Sequence, residues 1–457
     1  MAGIGFELKK LITLRPGLTS KVQAYAAAGL ISSGPWIMTA VTLFLVSLFG
    51  DSASASASSL VFRSIVTYAF AFSLITVGAV QMAVTRWIAD LLYKRQYEKI
   101  LPAFTATFAI VGTVQTVVGI SFSLAADLEF ALGLLATGLY LVISLIWLAL
   151  IWLTVIREYN QILLCFCLGT IVSVLLMAQL GQSGELNAFL GSYAAGQALT
   201  LVLLIRLLVR GMEAGVARDF GVWNCAREYP SLIVTGLFYT LAIWIDKLVF
   251  WFGEGVRASH LIYFHPIYDT CCFLAYTTVI PALAINLIHL ETEFYKHYKG
   301  YYTAILGHLP LSSIEERRND MMCALRAGMA RLLKIQGGVS VATIVLAPYI
   351  LDALGLPETA ARLFRLACLG AFFHILLLIT ILIQLYFDLR KEALISATVF
   401  LVLNGTLAWW SLRQGFEVYG LGYAIASLVS VTVAFFLLDR ALEWLDYLTF
   451  TSQLRRS

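Results

Sequence analysis

The chain has 457 residues, of which 60% are hydrophobic and only 13% are charged. Soluble globular proteins carry roughly twice that share of charged residues, so the composition excludes a water-soluble protein and indicates that lipid is the main solvent. The net charge of +4 is small, and the mean hydropathy of +0.85 fits an integral membrane protein.

No cleavable leader is expected at the N-terminus. Lys9, Lys10, Arg15 and Lys21 interrupt the apolar residues there, and no continuous apolar core precedes a small-residue cleavage site. We therefore expect the first long hydrophobic segment to be a retained helix. The seven cysteines form no CxxC pair and no zinc spacing, so we expect buried thiols, with no metal and no cofactor.

The hydrophobic segments predict an all-α membrane protein with about twelve transmembrane helices. A helix needs about 20 mainly apolar residues to cross a bilayer. Segments of this kind lie near residues 22–49, 60–88, 101–124, 131–155, 162–181, 188–209, 231–252, 267–290, 332–351, 363–386, 393–411 and 419–438.

The positions of the basic residues predict the orientation. With both termini in the cytoplasm, almost all of the 31 Lys and Arg residues fall at the inner ends of the spans or in inner loops, as the positive-inside rule requires. The outer segments hold five exceptions and the seventh span holds a sixth: Arg63, Arg257, Arg362, Arg365, Arg413 and Lys247.

Six spans precede the inner loop near 210–230 and six follow it. An even number of spans returns each half to the same side, so any internal repeat is parallel and its axis lies along the membrane normal. We therefore expect an N-terminal six-helix bundle at 1–215, a cytoplasmic connector at 216–230, and a C-terminal bundle at 231–457 with a cytoplasmic loop at 291–331. A central cleft would separate the bundles.

The seventh span carries two charged residues, Asp246 and Lys247, next to Trp244. Sequence neighbours lie about 100° apart around a helix, so we predict that the two charges do not pair squarely and that each finds another partner or water. Intramembrane charges often line a pathway. The alternative is that both lie near the outer interface, where Lys247 snorkels.

Two spans contain residues that interrupt helices. Pro281, in the middle of the eighth span, cannot donate a backbone hydrogen bond and should kink the helix, whereas Gly34 and Pro35 offer a similar break in the first span. Interrupted helices in both halves point to a transport pathway. Kinks that serve packing alone remain an alternative.

The inner loop at 291–331 is too aromatic for a free linker, since Glu291 and Glu293 are followed closely by four tyrosines, Tyr295, Tyr298, Tyr301 and Tyr302. Ser312 or Ser313 and the acidic pair that follows match a capping box. Behind this box, apolar residues recur at helical spacing opposite Arg317 and Arg318, which predicts an amphipathic helix on the inner leaflet. It serves either as an anchor or as a dock for a cytoplasmic partner.

Motifs for catalysis are missing from the sequence. There is no GxxxxGK[ST] loop, no Asp-x-Asp and no HExxH, so we expect neither an ATP-driven pump nor a glycosyltransferase or hydrolase in this chain. The prediction is a membrane protein that is not an enzyme.

Several long motifs in order resemble the PelG family, the membrane transporter component of Pel exopolysaccharide secretion. They are MAGIGFEL at 1–8, GLISSGPW at 29–36, WIDK at 244–247, HPIYD at 265–269 and ETEFY at 291–295, and the likeness continues to YLTF at 447–450. The resemblance implies the multidrug/oligosaccharidyl-lipid/polysaccharide exporter superfamily, with its two six-helix bundles, in the bacterial inner membrane.

The resemblance also implies a role and partners. A complex with PelD, PelE and the cytoplasmic glycosyltransferase PelF would make an N-acetylhexosamine-rich polymer, which this chain would carry outward. The superfamily lines its cleft mainly with spans one, two, seven and eight, which makes these residues candidates for the pathway: Trp36, Tyr239, Trp244, Asp246, Lys247, Tyr268, Asp269, Tyr276 and Asn286.

Two other functions stay open. The same fold could flip a lipid-linked oligosaccharide or export a compound with proton coupling, and a scaffold could recruit a glycosyltransferase through residues 291–331 without transporting anything. Within the leading hypothesis, either polymer growth pushes the chain outward or a proton is coupled through Asp246 or Asp269.

Overall fold

The computed structural model describes residues 28–29, 53–155, 159–180, 185–212 and 221–454, and nearly all of them are helical. The described part of the first half contains five long helices: α1 (Ala53–Tyr93), α2 (Ile100–Ala125), α3 (Phe130–Leu153), α4 (Tyr159–Leu180) and α5 (Leu186–Gly211). A short helix, α6 (Val222–Glu228), leads into the second half.

The second half begins with α7 (Pro230–Glu254), followed by a hairpin of β1 (Val256–Arg257) and β2 (Tyr263–Phe264). Its other helices are α8 (Pro266–Thr277), α9 (Ile280–Ile285), α10 (Tyr295–Leu306), α11 (Leu311–Ala353), α12 (Ala360–Tyr386), α13 (Arg390–Gln414), α14 (Leu421–Glu443) and α15 (Leu445–Leu454). A π-helix, Asn286–Phe294, joins α9 to α10.

Eleven helical segments among the described residues are long and apolar enough to cross a membrane. Each coincides with one of the predicted spans from the second to the twelfth, which confirms a multi-pass membrane protein. The first predicted span, 22–49, lies outside the described residues apart from Ala28 and Gly29. The count of twelve, the cytoplasmic termini and the domain limits therefore stay predictions.

The eighth span is interrupted. Its helix stops at Thr277, turns through Thr278 and Val279, and resumes at Ile280, so that Pro281 occupies the first turn of the new helix. Proline is tolerated there because the N–H groups of a helix's first turn have no hydrogen-bond acceptor within the helix. The Thr278 carbonyl accepts a 2.9 Å hydrogen bond from Nε2 of the buried Gln336, which replaces a helical partner.

The predicted amphipathic helix forms the first part of α11 and runs without a break into the ninth span. Ile314, Met321, Leu325 and Leu332 are buried at helical spacing, and this face packs on α10. The predicted capping box is wrong, because α11 begins after Pro310 with no side-chain cap. A proline at that position already fixes the backbone that leads into the helix.

Candidate functional site

The two halves meet where α1 packs against α7. In the middle of this seam the backbones approach closely: a Cβ on Gly236 would lie 2.1 Å from the Gly78 carbonyl oxygen. Thr240, one turn along, donates its hydroxyl to the Ile75 carbonyl at 3.4 Å. Small residues permit this distance between membrane helices, so the middle of the seam is closed.

Aromatic rings close the seam at the end that the charge distribution predicts to be outer. Tyr68 of α1 stacks on Trp251 of α7, with ring centroids 4.7 Å apart and planes 12° apart. The Tyr68 hydroxyl accepts the backbone N–H of Tyr263 at 3.0 Å, so the β-hairpin is tied to the same tyrosine. We call Tyr68, Trp251 and Tyr263 the outer latch.

Asp269 supports the outer latch from α8. Its Oδ2 accepts the indole N–H of Trp251 at 2.7 Å and the backbone N–H of His265 at 3.1 Å. Its Oδ1 is buried and has no hydrogen-bond partner among the described residues. One oxygen of this carboxylate is therefore still able to accept a hydrogen bond.

Trp244 provides the complementary group. Its ring lies 6.2 Å from that of Trp251, in the apolar cluster that includes Tyr68 and Phe72 of the first half. Its indole N–H is buried and unpaired in the part of the chain that the structure describes. A free donor on Trp244 and a free acceptor on Asp269 thus both lie on residues that adjoin the Trp251 indole.

His265 caps α8 just outside the membrane-spanning residues. Its Nδ1 accepts the backbone N–H of Tyr268 at 3.2 Å, and its ring packs edge-on against Phe250 and Tyr419. Burial lowers the pKa of His265, and the neighbouring Glu254 opposes that effect. The neutral imidazole is the form that can cap the helix, because a protonated ring has no acceptor.

Asp246 and Lys247 form an ion pair, so the prediction that they would not pair squarely is wrong. Lys247 Nζ lies 3.0 Å from both Asp246 carboxylate oxygens, and the two residues are 0% and 4% exposed. The flexible stem of lysine spans the separation of two neighbours on a helix. Because separate burial of two charges is costly, the pair forms despite its orientation.

The ion pair belongs to a polar cluster inside the second half. Tyr268 donates its hydroxyl to Asp246 Oδ2 at 2.8 Å, and Lys247 Nζ donates to the Tyr276 hydroxyl at 3.1 Å. The buried His374 bridges two further hydroxyls, with Nε2 3.0 Å from Tyr239 and Nδ1 2.9 Å from Tyr423. Helices α7, α8, α12 and α14 all contribute to this cluster.

The predicted pathway residues therefore divide between two places. Trp244 and Asp269 lie at the seam, whereas Tyr239, Asp246, Lys247, Tyr268 and Tyr276 lie in the polar cluster. Asn286 is half-buried at the start of the π-helix. Trp36, Gly34 and Pro35 lie outside the described residues.

Sequence reasoning missed Tyr68, Trp251 and His374. His374 could have been predicted, because it is an ionisable residue inside the tenth span. Tyr68 has no local signal, since its role comes from contacts with the other half of the chain.

At the predicted inner end, charged groups join the halves. Arg86 lies 3.4 Å from Asp90 and 3.9 Å from Asp388, and Tyr229 donates its hydroxyl to Asp90. Burial raises the pKa of Tyr229, so its hydroxyl stays protonated and able to donate. A cavity of about 190 Å³ opens beside this group, lined in part by Lys94 and Lys99.

The proposed docking face is partly occupied by the chain's own C-terminal helix. Arg318 pairs with Asp446 of α15, and Tyr301 donates to the same carboxylate at 2.7 Å. Arg317 is exposed, whereas Glu293 and Tyr295 are half-buried, and the Glu291 side chain lies outside the described residues. The structure thus brings α10, α11 and α15 together as one surface at the predicted inner end.

Among the described residues, no group of three or more His, Cys, Asp or Glu side chains is placed to hold a metal ion. The sequence profile of PelG, described as "Putative exopolysaccharide Exporter (EPS-E)", matches residues 1–450. No curated protein matches the chain.

Solved transporters share the fold. An outward-facing multidrug resistance MATE family transporter of the MOP superfamily is similar with a TM-score of 0.65 at 13% identity, covering 93% of this chain and 96% of that one. The inward-facing conformation of such a transporter gives 0.57 at 12% identity, covering 92% and 96%. A MOP superfamily transporter from Pyrococcus furiosus gives 0.62 at 11% identity, covering 92% and 96%.

Proposed function

Because this chain belongs to the PelG family of exopolysaccharide exporters, we propose that it carries a nascent N-acetylhexosamine-rich polysaccharide, Pel, across the bacterial inner membrane. The polymer passes between the two halves, and the seam of α1 and α7 opens to admit it. The observation that carries this proposal is the composition of the outer end of the seam, where aromatic faces adjoin an unpaired donor and an unpaired acceptor.

The chemistry of that region suits a sugar. The Trp244 indole N–H can donate to a hydroxyl or acetamido oxygen, and Asp269 Oδ1 can accept from a hydroxyl. The faces of Tyr68 and Trp251 offer flat apolar area to the C–H face of a ring. Contacts of this kind are weak and repeated, which lets a polymer advance without being trapped, as multi-site conduction requires.

The outer latch must separate for a polymer to leave. Tyr68 and Trp251 belong to different halves, so a rotation of one half against the other would unstack them. A sugar ring that entered between them would replace one aromatic contact with another and reduce the free energy of opening. Structurally similar MATE transporters occur in outward-facing and inward-facing conformations, which supports a movement of this type here.

We place this transport within a synthase complex in which PelF makes the polymer at the inner face and PelD and PelE hold the assembly together. The surface of α10, α11 and α15 supports this arrangement, because its three helices are joined by side-chain contacts at the predicted inner end. Arg317 and its neighbours on α11 remain exposed for a partner.

The test separates conduction from recruitment. Polymer secretion is measured in a deletion strain that expresses wild type, Trp244→Phe, Asp269→Asn, or the control Trp409→Phe at an exposed tryptophan. Membrane retention of PelF is measured in the same cells. We expect the two seam variants to reduce secretion while retaining PelF. If secretion falls only in variants that also lose PelF from the membrane, the chain acts as a scaffold instead.

A lipid-linked oligosaccharide flippase or a proton-coupled exporter remains the alternative within the fold. Either would work without a polymerising partner, so transport of a short lipid-linked oligosaccharide into vesicles that contain only this chain would support it. Asp269 is the seam carboxylate available to such coupling, since Asp246 is already paired.

A further inference from the structure

The Asp246–Lys247 pair has the form of an occupied cation site. A carboxylate buried in a membrane protein needs a counter-charge, and only a bound proton, a bound cation or a basic side chain can supply it. Asp246 is 0% exposed and lies eight residues before the end of α7, which is about 12 Å along the helix axis. The counter-charge here is Lys247.

Four oxygen atoms surround the ammonium group. Both carboxylate oxygens of Asp246 lie 3.0 Å from Lys247 Nζ, and the Ile243 carbonyl and the Tyr276 hydroxyl lie 3.1 Å from it. Carboxylate, carbonyl and hydroxyl oxygens are the hard ligands that a simple cation prefers. The side chain of Lys247 therefore fills the position that a free cation would occupy.

Aromatic rings add to the attraction for a positive charge. Lys247 Nζ lies 5.0 Å from the ring centre of Tyr276, 5.6 Å from that of Tyr423 and 5.9 Å from that of Trp244. Cation–π contacts at these distances stabilise a desolvated ammonium. Tyr268 supplies the remaining hydrogen bond to Asp246, so both members of the pair are satisfied within the protein.

We infer that Lys247 is a built-in counter-ion that keeps protons and alkali cations away from Asp246, so that this carboxylate takes no part in ion coupling. The ionisable groups that face the pair are Cys272, Tyr268 and Tyr276 of α8 and Tyr423 of α14, and two more distant groups, Asp269 of α8 and His374 of α12, also interact with it electrostatically. If transport draws on an ion gradient, it does so through another group, such as Asp269. The inference concerns the energy source and goes beyond the proposed substrate.

Thermal unfolding of the purified protein in detergent tests this without any transport assay. The Tm is measured in NaCl and in choline chloride at equal ionic strength, each at pH 6 and pH 8. The variants are wild type, Lys247→Met, Lys247→Gln and the double variant Asp246→Asn, Lys247→Met. Asp269→Asn is the control, because any response that it removes belongs to the seam carboxylate.

We expect the wild-type Tm to be the same in Na⁺ and choline, and its pH response to match that of the double variant, because His265 responds to acid in every variant. Lys247→Met and Lys247→Gln should lower the Tm by about 5 °C or more, because the carboxylate is left unpaired. Na⁺, or a proton at pH 6, should bind the vacant site and restore part of that loss, and the double variant should show neither recovery.

Two results would overturn the inference. One is a Tm that rises with Na⁺ both in wild type and in Asp269→Asn. The other is a pair of folded Lys247 variants whose Tm equals that of wild type and ignores both Na⁺ and pH.

Discussion

Tyr68 stacks on Trp251 at 4.7 Å between ring centroids and thereby joins the first half of the chain to the second at the predicted outer end. The same tyrosine accepts the backbone N–H of Tyr263, so one side chain holds both α7 and the β-hairpin. The outer latch is therefore a contact between two parts of the molecule that the proposed transport must separate.

Removing the Tyr68 ring should weaken the outer closure. Tyr68→Ala loses an aromatic pair that is worth about 0.5–1.5 kcal/mol beyond its buried area, whereas Tyr68→Phe keeps the stack and loses only the hydroxyl acceptor. We expect a cysteine introduced at Phe72 to react faster with an outside maleimide in the alanine variant than in the phenylalanine variant. Equal rates in both would show that the stack does not hold the seam closed.

Trp244→Phe should reduce secretion without destabilising the protein. The substitution keeps an aromatic ring and removes an N–H that has no partner among the described residues. One hydrogen bond to the sugar is worth about 0.5–1.5 kcal/mol, so secretion should fall about two- to tenfold. The check is polymer released per unit of membrane protein, with Tm measured alongside, and a fall in Tm without a fall in secretion would contradict the assignment.

Gly236→Ala should force the halves apart. Its new methyl group would meet the Gly78 carbonyl at 2.1 Å, while a methyl on Gly338 of α11 would meet nothing within 4 Å. We expect Gly236→Ala to lower the Tm and the secretion, and Gly338→Ala to change neither. If the Tm and secretion of Gly236→Ala equalled those of wild type, α1 and α7 would not be in close contact at Gly236.

His265 should make the protein less stable in acid. Burial lowers the pKa of His265, whereas the unfolded chain protonates near the usual value of about 6.5. The unfolded state therefore binds the proton first, so this contribution is full above pH 6.5 and declines as the pH falls below it. His265→Asn keeps a capping side chain without titrating there, and its Tm should fall less than that of wild type between pH 7 and pH 5. Parallel Tm profiles would rule out His265 as the source.

Arg318→Ala should free the C-terminal helix, since Arg318 is the cation paired with Asp446 of α15. We expect limited proteolysis to cut near residues 445–454 faster in this variant than in Arg317→Ala, because Arg317 is exposed. If PelF docks on the exposed side of α11, Arg317→Ala should lower the membrane retention of PelF while its proteolysis rate stays close to that of wild type. The reverse pattern in the two variants would reject this division of roles.

Hydropathy predicted the helices well because each span must be apolar along about 20 residues, and that requirement is local. The side-chain partners were harder to predict. The rule that sequence neighbours face different directions failed for Asp246 and Lys247, since it describes Cβ positions and ignores the reach of a lysine. Tyr68 and Trp251 are far apart in sequence, so their stacking depends on how the halves pack, which one sequence does not encode locally.

The central claim is that the polymer passes through the seam beside Trp244. The most direct measurement places the photo-crosslinker p-benzoyl-phenylalanine at Trp244, or at the exposed Trp409 of α13, in cells that make labelled polymer. We predict label on the protein from position 244 only, and only while PelF is active. Continued secretion with no label at position 244, or equal label at both positions, would contradict a pathway through this seam.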